Sequence, residues 1–175
     1  MWGGFSDVDE DAGVAMVWLL RHPGAPDSAE HALQFEREGG WRFLGGAGSS
    51  ARELPLAGRP SASVHGPSTM MRFLSSSASR SRAGPEQQEA GWVSCASFRL
   101  ATEVGQLQVA ERSIPVPDHG YVIVGWRSPS ARARPLIVAV GKDGSRLSEL
   151  GPDDFLDSLT WESVQRSLPD DPLPG

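Results

Sequence analysis

Residues 121–150 constrain the fold more tightly than any other stretch: Y-V-I-V-G-W-R, a polar loop, P-L-I-V-A-V-G, then K-D-G-S and R-L-S-E-L. The two apolar runs are strand-sized, rich in β-branched and aromatic residues, and bounded by Gly, Pro and Ser, which predicts strands over 121–127 and 136–140. In the first, Val122, Val124 and Trp126 share one face and Tyr121 and Ile123 the other, so both faces need cover. Leu136, Val138 and Val140 stand opposite Ile137 and Ala139 in the same way, and both strands read as the middle of a sheet. Asp143-Gly144 supplies the positive φ a tight hairpin needs, so residues 146–150 are predicted to pair back. The link S-P-S-A-R-A-R has no apolar anchor and reads as a solvated loop beside Arg127, with Arg132 and Arg134 on it.

The rest of the chain follows the same style. Gly 20 and Pro 14 among 175 residues break it often, which favours short strands and turns over long helices. Residues 1–12 are acidic and read as a flexible arm, and 14–21 form a strand-length apolar run. Residues 31–38 alternate, with Leu33 and Phe35 on a predicted buried side and Gln34, Glu36 and Glu38 on a wet side. Gly39-Gly40 turns the chain into residues 41–44, where Trp41 and Phe43 share a face, giving a three-stranded N-terminal meander. The Ser/Gly/Pro-rich insertion at 75–90 reads as a partly disordered linker within a β-rich domain spanning 13–168. Strands resume at 92–100 and near 106–109, while Ile114-Pro115-Val116-Pro117 lacks donors and belongs on an edge. Pro152 with Asp153 and Asp154 signals a helix start near 152, and residues 169–175 read as a tail. The expected fold is mostly β, an antiparallel β-sandwich or open barrel with a short C-terminal helix.

Gly39-Gly40-Trp41-Arg42-Phe43-Leu44-Gly45-Gly46, residues 115–126, the Asp143-Gly144 turn and D-F-L-D-S-L-T-W at 154–161 occur in this order. With them the chain resembles a set of small uncharacterised proteins from GC-rich bacteria. The resemblance covers the two β segments and the C-terminal helix, leaves the Ser-rich middle unmatched, and implies no activity.

Charge and cysteine usage narrow the function classes. A formal net charge of −6 argues against general attraction to nucleic acid or to an anionic membrane surface, and the apolar run at 14–20 is too short to span a bilayer. Cys95 is the one cysteine, so no intrachain disulfide or thiolate cage can form, which suits a reducing cytoplasm. The four histidines, His22, His31, His65 and His119, have no one-turn spacing, and neither metal nor cofactor is implied. Gly46-Ala47-Gly48-Ser49-Ser50-Ala51 matches a phosphate-cradling pattern, but Pro55 leaves room for barely one helical turn after it, so a flexible glycine turn is expected.

No catalytic constellation emerges. Cys95 lies in an apolar strand and reads as a small buried hydrophobe rather than a nucleophile paired with His119, whose neighbour Asp118 is expected to raise its pKa. Six tryptophans against one tyrosine supply platforms for core or recognition, and Trp41 beside its glycine turn is the one expected to be exposed. The resulting expectation is a non-enzymatic protein-binding or adaptor protein, with Trp41, Arg127, Arg132, Arg134 and His119 as binding candidates and another protein as partner. The alternative is a small-molecule-binding or hydrolase-like β domain with a pocket near His119. Oligomeric state is left open.

Overall fold

The structure, a computed structural model, describes residues 2–21, 29–37, 39–50, 58–82 and 91–167. Tight turns set the first sheet. Strand β1 (Trp2–Asp9) turns through Gly13, at φ 61°, into β2 (Val14–Arg21), which pairs with β3 (Ala29–Arg37). Gly39, at φ 72°, then closes the expected hairpin into β4 (Trp41–Ser50), giving a sheet ordered β1-β2-β3-β4. Trp2–Asp9, in the segment read as an arm, is paired with β2 along its whole length, so the meander has four strands rather than three. The Gly46-Gly48 stretch is likewise strand rather than turn, because a Cβ at Gly46 would come 2.5 Å from the Ala32 carbonyl oxygen of β3. Ala51, the last residue of that motif, and residues 22–28 lie outside the described residues.

A short helix α1 (Ala62–His65) and a 3₁₀ turn (Pro67–Thr69) lead into the second sheet, ordered β5 (Met71–Arg80), β6 (Trp92–Leu100), β9 (Tyr121–Ser128). The third runs β11 (Arg146–Leu150), β10 (Ile137–Gly141), β7 (Val104–Val109), β8 (Arg112–Pro115). The Asp143-Gly144 hairpin forms as expected, with Gly144 at φ 85° and Asp143 Oδ1 accepting the Ser145 amide at 3.0 Å. Strand β8, which carries Pro115, is an edge. The Ser-rich run is strand as far as Arg80, and residues 83–90 of the expected linker lie outside the described residues.

The fold is therefore mostly β, three antiparallel sheets with no closed barrel among the described residues and a short C-terminal helix, α2 (Ser158–Ser167). That helix begins six residues later than Pro152 suggested. Asp154 Oδ2 is engaged by the Gly151 amide at 2.9 Å in a local turn, and Asp157 takes the capping role, accepting the Thr160 amide at 3.3 Å and its hydroxyl at 2.7 Å. Residues 169–175, read as a tail, lie outside the described residues.

The second sheet is the middle layer. One face packs Val93, Cys95 and Ile123 against Val14, Met16, Trp18 and Leu20 of the first sheet. The other packs Phe98, Val122, Val124 and Trp126 against Leu107, Ile137, Ala139 and Leu150 of the third. That explains why residues 121–127 lack a polar face. They form the edge of their sheet, not its middle, yet are covered on both sides; of the two strands read as central, β10 alone lies in the interior of its sheet.

Candidate interaction face and its polar backing

The first sheet is inverted relative to the sequence pattern. Gln34 and Glu36, expected on the wet side, are 0% exposed, while Trp41 is 45% and Phe43 53% exposed. The cause lies across the interface, in β5. Gln34 Nε2 donates to the Ser77 carbonyl at 3.1 Å and its hydroxyl at 3.0 Å, and the Ser79 hydroxyl donates to Gln34 Oε1. Glu36 accepts from Ser81 Oγ at 2.5 Å, the Arg82 amide at 2.8 Å and Arg42 Nη2 at 2.6 Å. The serines that resemble a linker are thus the partners that let a Gln/Glu strand face turn inward. Burial pushes the Glu36 carboxyl up, but the hydrogen bonds from Ser81, Arg42 and Arg82 and the Arg42 charge outweigh it and hold the group below its ordinary value.

What turns outward is apolar. Register aligns Val8, Ala15, Phe35 and Phe43 in one row across all four strands, followed by Ser6, Val17, Leu33 and Gly46. Trp41 pairs with Arg37 at the end of β4, with the Arg37 guanidinium 6.0 Å from the Trp41 ring and 2.6 Å from Glu10. Phe35 and Phe43 meet edge to face at 5.7 Å. The four acidic residues of these strands, Asp7, Asp9, Glu30 and Glu36, alternate to the opposite face. On this outer face Val8, Trp41 and Phe43 are exposed, while Val17, Leu33 and Phe35 are half-buried among their neighbours. Only Trp41 and its glycine turn announced it in the sequence; Phe43, Phe35 and Val8 were missed because a strand's buried side was taken to be its apolar side.

The other candidates lie elsewhere. Arg127 bridges layers, donating to the Ala12 carbonyl at 3.1 Å and to Ser81 Oγ at 2.8 Å. The loop after it is anchored rather than loosely solvated: Trp126 Nε1 donates to the Ala133 carbonyl at 2.9 Å, and Arg134 Nη2 to the Gly151 carbonyl at 2.8 Å. Arg132 is exposed and, with Trp126, Arg134, Ser76, Asp153 and Phe155, lines a cavity of about 620 Å³. Trp41 on the outer face and these arginines do not converge.

His119 Nδ1 accepts the Tyr121 amide at 3.1 Å, and its ring stacks on Tyr121. Its pKa falls rather than rises, because burial outweighs Asp118, and Arg59 adds to the lowering. Cys95 is buried against Ser77 Oγ at 3.2 Å and pairs with Gly125, while Tyr121 pairs with Arg99 four residues further along β6. At about 3.3 Å per residue, Cys95 is roughly 13 Å from the His119 end, which rules out the Cys95–His119 pairing. His119 does not line the cavity. No family model, curated protein or solved structure matches the chain.

Proposed function

We propose that the chain is a non-enzymatic protein-binding module whose contact surface is the outer face of β1–β4. The observation that carries this reading is the apolar row Val8, Ala15, Phe35 and Phe43, exposed at Val8 and Phe43 and with exposed Trp41 at its margin, on strands that send every acidic side chain the other way. Contiguous exposed apolar surface rimmed by polar groups marks interaction sites, and aromatic residues dominate their energetics. The test is a photocrosslinking amino acid at Phe43 and, as control, at Val64, which is exposed on α1 outside this face. Protein adducts at 43 and none at 64 are expected; equal yields at both positions, or none, reject the reading.

A second reading, small-molecule binding, rests on the cavity beside Arg132, whose volume of about 620 Å³ lies within the range of ligand pockets. A thermal-shift panel of metabolites against the wild type and Arg132→Ala tests it. The reading requires a ligand that raises the midpoint of the former more than that of the latter.

A further inference from the structure

We infer that the occupant of the β1–β4 outer face is a second copy of this chain, docked sheet on sheet about a two-fold axis. The inference rests on the protein-binding reading and names its partner. Charge permits a like copy on this face. The chain carries a formal net charge of −6, so most pairings of two copies set like charges against each other. This face escapes that penalty because Asp7, Asp9, Glu30 and Glu36 all point to its reverse side, and its two central rows hold no ionisable residue. Of the ionisable residues that share this face, Arg21 and Arg37 stand at the ends of β2 and β3, where Arg37 is already paired with Glu10, and His31 lies one row in from Arg21.

Size and shape agree. With strands about 4.8 Å apart and eight residues rising roughly 3.3 Å each, four strands present roughly 500 Å² per copy. Two copies bury about 1,000 Å², the lower end for a specific interface, so the dimer forms and dissociates with concentration rather than being permanent. Twisted sheets stack face to face at about −30°, with side chains of both inner faces interdigitating about 10 Å apart. A two-fold axis near the row brings the edge-strand aromatics Phe43 and Trp41 of each copy towards Val8, at the far edge of the other. That makes the patch complementary to itself, as an isologous contact requires.

Sedimentation velocity on the purified full chain, from about 5 to 200 μM, tests this. The expected mass rises from 18.7 kDa towards twice that value. Phe43→Asp and Val8→Asp, each confirmed folded by circular dichroism, should weaken association at least about tenfold by placing a carboxylate in an apolar contact. Phe155→Ser, on an exposed side chain away from this sheet, should associate like the wild type. A wild type that keeps its monomer mass throughout overturns the inference, as does association undiminished in both folded Asp variants. Monomer mass together with protein adducts at position 43 removes the second copy and leaves the face; monomer mass without adducts removes both.

Discussion

Arg112 Nη1 lies 2.9 Å from Asp7 Oδ1 and 3.0 Å from Oδ2, although the two are 105 residues apart. The same guanidinium donates to the Gly125 carbonyl at 2.5 Å and pairs with Asp9 through Nε at 3.0 Å, while Asp7 Oδ2 accepts the Gly125 amide at 2.9 Å. One arginine of the third sheet thus joins β1 of the first to the free, buried edge of β9 in the second. Because Asp7 is buried, Arg112→Ala strands a carboxylate in the interior, and a loss of about 3 kcal/mol in urea unfolding is expected. Asp7→Asn in the Arg112→Ala background should recover part of that loss; a purely additive double mutant contradicts the coupling.

Acid should unfold the protein in two steps of sensitivity. The His119 pKa lies below its ordinary 6.5 in the fold, so the unfolded chain binds that proton first and stability starts to fall as the pH drops through 6.5. The Glu36 pKa is also lowered, from 4.5, so its contribution is complete above 4.5 and is lost as the pH falls through the lower folded value. His119→Gln should flatten the first segment of a stability-against-pH curve and Glu36→Gln the second. Glu36→Gln should also cost about 1 to 2 kcal/mol at neutral pH, since an amide cannot accept at both positions from Ser81, the Arg82 amide and Arg42.

Gly125→Ala should cost about 2 kcal/mol, because a Cβ there falls within the Met16 side chain that packs across from β2. Met16→Ala is destabilising on its own through the cavity it leaves. The two together should therefore cost less than their sum, and chemical denaturation of the four-member cycle measures the difference.

Arg134→Ala should release the 129–135 loop from Gly151 and Asp154, to whose carbonyls Arg134 donates. Faster amide hydrogen exchange in both segments, with the β6 and β9 core unchanged, is the expected pattern.

Much of the fold was legible wherever apolar periodicity coincided with burial. The runs at 121–127 and 136–140, the Asp143-Gly144 hairpin and the Pro115 edge all follow from local pattern and turn chemistry. The candidate site was only partly legible, for a different reason. Side-chain polarity shows which residues share a face of β3 but not which face is covered, and here Ser77, Ser79 and Ser81, more than forty residues away, decide it. A serine-rich run looks the same whether it is solvated or is the hydrogen-bonding counterpart of a buried Gln/Glu pair. Likewise the Arg134 anchor depends on carbonyls at 151 and 154, which no local reading supplies.

The order of pairing also sets a timetable. The first four strands pair only with their neighbours in sequence, so this sheet can close soon after residue 50 leaves the ribosome. Its inward acids must wait: Glu36 for Ser81 and Arg82, Asp7 for Arg112 and Gly125. At roughly 5 to 20 residues per second, Arg112 follows about 3 to 12 s after that sheet is complete. During that interval the nascent sheet carries carboxylates that lack part of their final set of partners on one side and an apolar row on the other, and water completes the hydration of the acids before the protein replaces it.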